Sequence, residues 1–495
     1  MSRYQTLGLN LLLTLPFILL FWLNLAHHEL WLDELNAWGI SAASPTLKAL
    51  FANVHYEGHP WLWYFILWIP SRLTHAPVAM KWVEAFIGAA IYLVIGLLSP
   101  FTRLQKILIF LNYFVAFEYT VLSRPYGVMF LLTLLYARRR AAKPRAFIGN
   151  LVLLGALANT DMTGIVLSGA LLIEYAFSQL PQWREIEQRR ALSAFLLYMS
   201  MLLFSVHSLL PAPDISWETT GHMFAKAGSF KHLSHSVANL LVASWWPFAS
   251  GYPHQFWNTD VDFNRSEVVF VPFVLAGLYW IFRRRHNLLL LIGTTLIFGI
   301  SFAHLIYLGY ARHWGVGVVA FLIALWILCY NRADRQTISR VAYFFLLIAA
   351  IKGVAAIAAS WTHPFSETAN VAQWLRDHHL DREPIAGTLD IGLAGVAEQL
   401  ERPVYFLDCD CVDTYMKFSH RRDGLKPEQV PERILHAYDS LHAQRLVLIM
   451  DYQLSPKQMD QLAASGFRAQ PLTQFTGSED RIDFYLYQVG KSVSQ

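Results

Sequence analysis

Two adjacent carboxylates, Asp33 and Glu34, are the first residues of the sequence that could do chemistry. They follow directly on an apolar run, residues 7–26, that is long enough to cross a membrane. One carboxylate could act as the general base that deprotonates an acceptor hydroxyl, with its neighbour orienting it. The alternative is structural: both acids could lie in the first turn of a loop helix, where the helix dipole stabilises them.

A turn between two later apolar runs, SRPYG at residues 123–127, holds a second group of candidates. An arginine matches phosphate oxygens geometrically and stays charged at physiological pH, so Arg124 is a candidate phosphate ligand. Tyr126 adds a hydroxyl, and Glu118 is near enough in sequence to pair with the arginine. The alternative is an interfacial arginine that extends its charge to lipid headgroups.

Three more turns hold polar residues that could join the same site. His59 precedes Pro60 and the aromatic stretch WLWYFILW, and Arg312 lies beside His313 in the turn YARHW. Arg312 could meet an anionic headgroup, and a simple interfacial pair of cations is an equal alternative. Asp161, in NTDMTG, could face the site, although capping of the following helix is favoured.

The residue pattern supports no cofactor. Residues 362–495 contain no phosphate loop, no GxGxxG segment and no metal-ligand cluster, and no Asp-x-Asp accompanies Asp33. We therefore expect no cofactor, and a divalent metal has no support from the spacing of these residues.

The composition indicates a membrane protein. Hydrophobic residues make up 55% of the 495 and only 15% are charged, against about 25% in soluble domains. Residues 362–495 hold 13 Lys/Arg and 19 Asp/Glu, a net charge of −6, whereas the whole chain has +4. The preceding part is therefore basic, and its basic residues lie in short loops between apolar runs. This distribution does not indicate a nucleic-acid partner.

The positive charges predict a topology, because loops rich in Lys and Arg favour the cytoplasmic side. A consistent alternation requires eleven transmembrane helices, with the N-terminus inside and loop 27–79 outside. The run 61–74 must then lie on the outer face instead of crossing; it is short and bracketed by prolines. The expected spans lie near residues 7–26, 80–98, 106–120, 125–138, 147–160, 163–178, 191–210, 267–282, 288–308, 313–330 and 340–360.

Residues 362–495 have the pattern of a separate domain on the outer side. Short β-like runs at PIAGTLD, PVYFL, RLVLIMD and IDFYLYQV alternate with helical patterns, which predicts a small α/β domain. One helix is predicted in detail, with Ser455 as N-cap, Gln458 as its capping-box partner and Gly466 after its end.

Cys409 and Cys411 form a CxC pair in this domain. A disulfide between them is geometrically tight, and weak metal binding together with the adjacent acids is a second alternative. We favour two partly buried thiols.

The order of these features resembles the GT-C glycosyltransferases. One membrane helix is followed by an outer loop with WLDE and HPWLWYF, and later by SRPYG. The pattern is similar to family 39, the protein mannosyltransferase-like group with the lipid A aminoarabinose transferases and rhizobial lipopolysaccharide glycosyltransferases. The resemblance covers about residues 1–330. Trp61 replaces the second proline of a common HPP, and Asp161 stands where the family often has a histidine.

The resemblance implies a fold and an activity. The fold is a membrane all-α bundle with about eleven transmembrane helices plus juxtamembrane helices, residues 1–361, followed by a periplasmic α/β domain at 362–495. The activity is inverting transfer of a sugar from a polyprenyl-phosphate-linked donor to a cell-envelope glycan, lipid or protein. The reaction would take place on the periplasmic face of the bacterial inner membrane.

The resemblance also implies roles for single residues. Asp33 is the base that activates the acceptor, and Glu34 assists or orients it. The residues for the donor phosphate, which becomes the leaving group, are Arg124, Tyr126 and Arg312. The remaining candidates for substrate contact are His59, Glu118, Asp161 and His313.

Two other classes of protein fit parts of the pattern. A transporter or flippase for a lipid or polar solute would need ionisable residues or broken helices near mid-membrane, whereas the charges singled out above lie in outer loops. A non-catalytic assembly protein would depend more on residues 362–495 than on Asp33 or Arg124.

Overall fold

A computed structural model describes residues 3–181, 187–216, 229–245, 257, 265–330, 339–423 and 425–492. Two aromatic segments of the loop between the spans expected near 191–210 and 267–282, SWWPF at 244–248 and HQFWN at 254–258, lie mostly outside the described residues. Of them, Ser244, Trp245 and Trp257 are described. The N-terminal part is helical and the C-terminal part contains a sheet.

The helices of the N-terminal part follow the apolar runs of the sequence. They are α1 Arg3–His27, α2 Leu32–Ala43, α3 Leu47–Val54, α4 Leu62–Ser71, α5 Ala79–Leu93, α6 Arg103–Phe110, α7 Pro125–Ala142, α8 Phe147–Ala158, α9 Met162–Gln179, α10 Gln188–Ser208, α11 Phe230–Ala238, α12 Val271–Phe282, α13 His286–Leu305, α14 Ala311–Trp314, α15 Val316–Tyr330 and α16 Arg340–Ser360. Three π-helical segments, Val94–Leu98, Phe114–Glu118 and Asn239–Ala243, extend or interrupt this series.

Six helices of the described part are long and apolar enough to cross a membrane: Tyr4–His27, Ala79–Leu98, Gln188–Ser208, His286–Leu305, Ala311–Tyr330 and Arg340–Ser360. The other expected spans form shorter segments. The run 106–120 is broken between Phe110 and Phe114, because the Asn112 side chain accepts the Phe114 N–H at 3.0 Å and competes with the helical bond.

Loop 27–79 folds into three short helices between α1 and α5. Helix α4 has ten residues and is about 15 Å long, half of what a span requires. It packs its buried face, which includes Trp63, Tyr64 and Leu67, against α2. Helix α2 is itself almost wholly buried, and Asp33 in its first turn is the one polar side chain of this helix that is partly exposed.

The C-terminal part contains a six-stranded sheet in the order β3-β2-β1-β4-β6-β5. Its strands are β1 Ile385–Gly387, β2 Val404–Phe406, β3 Cys411–Asp413, β4 Leu446–Met450, β5 Phe467–Phe475 and β6 Phe484–Lys491, and its helices are α17 Thr368–Asp377, α18 Asp390–Leu400, α19 Val430–Ser440 and α20 Pro456–Ala464. Strand β1 is parallel to β2 and β4, whereas β3, β5 and β6 are antiparallel to their neighbours.

The C-terminal domain confirms some sequence predictions and corrects one. The four predicted strands became β1, β2, β4 and β6, and Ser455 with Gln458 forms the predicted capping box of α20. The prediction of two free thiols is wrong, since Cys409 and Cys411 form a disulfide with 5.3 Å between their Cα atoms. The tight turn after β2 brings the two cysteines within the range that a disulfide spans.

This domain packs directly onto α2. A Cβ atom on Gly39 would lie 2.6 Å from Glu398 Oε1 and 2.7 Å from Tyr415 Cβ, so the close approach requires glycine. The Met416 N–H donates to Asn36 Oδ1 at 2.8 Å, and the Phe365 N–H donates to Glu29 Oε2 at 2.9 Å. The C-terminal domain and loop 27–79 therefore form one packed unit.

Candidate active site

Asp33 lies at the meeting point of two arginines. Its Oδ2 atom is 3.1 Å from Arg312 Nη2 and 3.7 Å from Arg124 Nη2. Arg124 also donates to the Asp33 backbone carbonyl at 2.7 Å. The first turn of α2, the N-terminus of α7 and the start of α14 thus meet here, which brings together three residues that the sequence singled out.

The two arginines are buried and keep unused donors. Their side chains are only 5% and 7% exposed, against 21% for Asp33. Within the described residues, Arg312 Nε, Arg312 Nη1 and Arg124 Nε have no hydrogen-bond partner, and neither does Asp33 Oδ1. Because a buried unpaired donor costs free energy, the geometry suits an added anion, with the carboxylate at the accessible edge.

Aromatic rings surround the Arg312 guanidinium. Its Cζ atom lies 5.0 Å from the ring centre of Tyr310, 5.3 Å from Trp31 and 5.7 Å from Trp257. Tyr119 donates its hydroxyl to the Arg312 carbonyl at 2.7 Å. These contacts exclude water from the arginine and fix its position, so its charge acts through a low dielectric.

Glu34 holds the site together instead of facing it. Its Oε2 atom accepts the Trp31 N–H at 3.0 Å and contacts His28 Nε2 at 2.9 Å, and Oε1 accepts the N–H of Ser123. The side chain is fully buried. Glu34 therefore links the end of α1, the start of α2 and the turn that carries Arg124.

His59 contacts the rear of the Arg124 guanidinium. Arg124 Nη2 donates to His59 Nε2 at 3.2 Å. Burial, together with the charges of Arg124 and Arg312, lowers the pKa of His59 to about 3. The ring is therefore neutral at physiological pH, and its Nδ1–H has no partner among the described residues.

His313 orients the Tyr126 hydroxyl. The Tyr310 N–H donates to His313 Nδ1 at 3.0 Å, and His313 Nε2 lies 3.1 Å from Tyr126 Oη. Since Nδ1 accepts, the neutral ring carries its proton on Nε2 and donates it to the tyrosine. The hydroxyl proton of Tyr126 then has no partner within the described part of the chain.

Glu57 is a site residue that the sequence analysis missed. It accepts from Asn36 Nδ2 at 3.1 Å and from the Tyr64 hydroxyl at 3.2 Å. Burial is the main cause that raises its pKa to about 7; the charge of Arg124 opposes this shift and the charge of Asp33 adds to it. A second carboxyl group therefore lies beside Asp33; the only sequence signal was its position two residues before His59.

Glu118 and Asp161 lie behind the cluster. The sequence suggested that Arg124 pairs with Glu118, but in the structure Arg124 pairs with Asp33. Glu118 instead accepts from Tyr113 at 2.5 Å and from Trp257 at 3.2 Å. Asp161 is the N-cap of α9 and accepts the Gly164 N–H at 2.8 Å. The capping interpretation of Asp161 is therefore the one that the structure supports.

In the described ranges, no group of three or more His, Cys, Asp or Glu side chains could hold a metal ion. The arginines occupy the position beside Asp33 that a cation would need. The residues present therefore suit a bound anion.

The comparisons with known proteins concern the fold. No family model and no curated protein sequence matches the chain. A crystal structure of ArnT from Cupriavidus metallidurans bound to undecaprenyl phosphate is similar, with a TM-score of 0.54 and 13% identity over 97% of this chain and 98% of that one. The chain has a GT-C fold. The apo crystal structure of the same ArnT has a TM-score of 0.48 at 13% identity and the same coverage.

This similarity confirms the predicted fold class, a multi-pass helical membrane bundle followed by a small C-terminal α/β domain. At 13% identity it does not assign an activity to single residues. The cluster around Asp33 has to be interpreted from its own geometry.

Proposed function

We propose that this protein is a membrane glycosyltransferase that moves a sugar from a polyprenyl-phosphate-linked donor to a cell-envelope acceptor. One observation carries the proposal: two buried arginines with unpaired N–H donors converge on one partly exposed carboxylate, Asp33. This combination can bind a leaving phosphate and accept a proton within one site.

The arginines suit the donor phosphate. Guanidinium groups match phosphate oxygens with forked donors and keep their charge when buried. Arg312 offers Nε and Nη1, and Arg124 offers Nε; Tyr126 adds its hydroxyl. Donors that are fixed before the reaction stabilise the charge that develops on the leaving group without reorganisation.

Asp33 suits the acceptor. In the proposed step its carboxylate accepts the proton of an acceptor hydroxyl, whose oxygen bonds to the anomeric carbon of the sugar. The bond from that carbon to the phosphate oxygen breaks, and its electron pair leaves with the polyprenyl phosphate. A single displacement of this kind inverts the configuration at the anomeric carbon.

Two further observations support the proposal. The similar ArnT structure is bound to undecaprenyl phosphate, a lipid phosphate of the proposed class. The Cys409–Cys411 disulfide belongs to an oxidising compartment, which agrees with a C-terminal domain on the periplasmic face of a bacterial inner membrane. We propose an envelope glycan, lipid or protein as acceptor.

The test is transfer from a polyprenyl-phosphate sugar in proteoliposomes. We expect Asp33→Asn to lower the rate by about 10²–10⁴-fold with unchanged membrane abundance. Asp439→Asn, which alters an exposed carboxylate of α19, is the control and should retain the wild-type rate. A fully active Asp33→Asn protein would contradict the proposal. Lipid movement between leaflets without transfer would instead favour the flippase alternative.

A further inference from the structure

A second basic site lies at the other end of the membrane helices. Helix α7 begins beside Arg124 and contains Arg140 near its end, and the helix Ala311–Tyr330 runs from Arg312 past Ile327. At 1.5 Å per residue, each separation is about 22–24 Å. A cavity of about 410 Å³ lies at this end, lined by Arg140, Ser178, Arg284, Arg285, His286 and Asn287 on its polar side.

The buried member of this set is Arg140, whose side chain is 10% exposed. Its Nη2 atom donates to Ser178 Oγ at 2.6 Å and to Glu174 Oε1 at 3.3 Å. Its Nε atom has no partner in the described residues. Glu174 Oε1 also accepts from Asn287 at 2.8 Å, so this oxygen is shared between Arg140 and Asn287.

The cavity is positive overall. Arg284 and Arg285 are exposed at its rim and make no ion pair within the described ranges. Three arginines thus face a cavity whose neighbouring carboxylate, Glu174, compensates for only one of them. Such basic pockets between membrane helices suit the phosphate of a lipid headgroup.

The remaining wall of the cavity is apolar and reaches the lipid-facing surface. It consists of Phe177, Pro181, Leu288, Ile327 and Leu328. Phe177 is 43% exposed and its neighbour Leu180 is 60% exposed. A ligand here needs a phosphate group joined to a hydrocarbon part, which distinguishes a membrane lipid from a soluble phosphate ester.

We infer that this cavity binds the phosphate headgroup of an anionic membrane lipid in the leaflet opposite to the proposed transferase site. The arginines hold the phosphate, and the acyl chains lie along the apolar wall. This inference does not depend on the proposed transfer activity, because no residue of the cavity belongs to the cluster around Asp33.

The test measures lipid retained by the purified full-length protein. The protein is equilibrated in mixed micelles of phosphatidylglycerol and phosphatidylcholine, and the bound lipids are quantified by mass spectrometry. Wild type should retain phosphatidylglycerol preferentially. In the double variant Arg284→Gln/Arg285→Gln, the ratio of bound phosphatidylglycerol to phosphatidylcholine should fall about fivefold for each arginine removed.

Arg283→Gln is the matched control. Arg283 adjoins the two arginines in sequence, but its guanidinium lies 3.5 Å from the ring centre of Trp280 and it does not line the cavity. This variant should retain the wild-type preference. Equal retention in the double variant, or an equal loss in the control, would overturn the inference.

Inorganic phosphate distinguishes the two sources of the anion. If a lipid is the ligand, excess phosphate should leave phosphatidylglycerol bound, because phosphate has no apolar part. Displacement by inorganic phosphate would overturn the assignment to a lipid. No sugar donor is present in this assay, so its failure leaves the proposed transfer activity unaffected.

Discussion

Arg312 is the residue at which the electrostatics of the candidate site converge. Its side chain pairs with Asp33, lies against three aromatic rings and interacts electrostatically with Glu118. Its unpaired Nε and Nη1 atoms can donate hydrogen bonds in fixed directions, which is a property separate from its charge. This distinction can be tested by a substitution that keeps the charge.

We predict that Arg312→Lys lowers transfer by about 10²–10³-fold, the effect of losing a fixed donor to a developing anion. Lysine keeps the charge but not the planar fork. The rate and the protein abundance are measured in the same membranes. Arg138→Lys, which alters a half-buried arginine beside Tyr330, should be without effect. A lysine variant within a few-fold of wild type would show that charge alone suffices.

Glu57 gives the proposed reaction a pH dependence. Its pKa is about 7, so its carboxylate forms as the pH rises through neutrality. A negative charge on Glu57 favours transfer of the acceptor proton to the neighbouring Asp33, which remains the proposed base. We predict a transfer rate that rises with pH and levels off above about pH 7, and a Glu57→Gln variant that lacks this rise. His59, with a pKa of about 3, cannot produce it. An unchanged profile in Glu57→Gln would contradict this role.

At this scale the sequence predicted which residues meet but not how they share the work. Asp33, Arg124, Arg312 and His59 lie close together in the structure, and the catalytic roles assigned to them stay predictions. The buried role of Glu34 and the presence of Glu57 depend on contacts between segments that are far apart in sequence. A residue type and its neighbours in the chain do not carry that information.

Helix α2 is the element on which the candidate site and the C-terminal domain both depend. Its first turn presents Asp33, and its last residues pack against Glu398 and Tyr415 through Gly39.

We predict that Gly39→Ala destabilises the protein by about 1–3 kcal/mol, because the methyl group overpacks the interface. Gly293→Ala is the control, since a Cβ atom there meets nothing within 4 Å and alanine favours the helix. Thermal unfolding in detergent measures both. Equal stability of Gly39→Ala and wild type would mean that the interface has room for a methyl group at Gly39, against the 2.6 Å approach of Glu398.

Glu398 makes the same interface sensitive to pH. Burial raises its pKa to about 8, so the folded protein favours the protonated form. A raised pKa stabilises the fold at low pH, and this contribution is lost as the pH rises through about 8. We predict that the unfolding temperature falls between about pH 4.5, the ordinary pKa of a glutamate, and about pH 8, and then levels off. Glu398→Gln should reduce this fall. The same slope in both proteins would assign the effect to another group.

Helices were easier to predict than their interruptions. Apart from the run 106–120, each expected span coincides largely with helical segments, because burial and hydropathy act along the whole run. The break at Asn112 depends on one side-chain bond, and β3 and β5 lacked a distinct apolar pattern. The disulfide at the start of β3 depends on a turn whose shape the sequence did not reveal.

The whole molecule has two polar ends joined by apolar helices. One end carries the cluster around Asp33 beneath the C-terminal domain, and the other carries the arginine cavity. The two parts also differ in net charge. It is −6 in residues 362–495 and +4 for the whole chain, which leaves +10 for residues 1–361.

We predict that reporter fusions place residues 142 and 285 in the cytoplasm and residues 230 and 420 outside. The positive charges near 142 and 285 favour retention inside, and the disulfide in the same domain as residue 420 favours an oxidising compartment. Paired reporters that are active on opposite sides of the membrane measure this directly. Cytoplasmic activity of the fusion at 420 would reverse the proposed orientation.

The bond from Met416 to Asn36 spans 380 residues of sequence. At a synthesis rate of about 5–20 residues per second, about 20–75 seconds pass between the appearance of the two partners. During this interval α2 has left the ribosome without the domain that covers it. The polar groups at the start of α2 are therefore synthesised early but reach their final contacts late. A chain that ends before residue 416 lacks the bond from Met416 to Asn36.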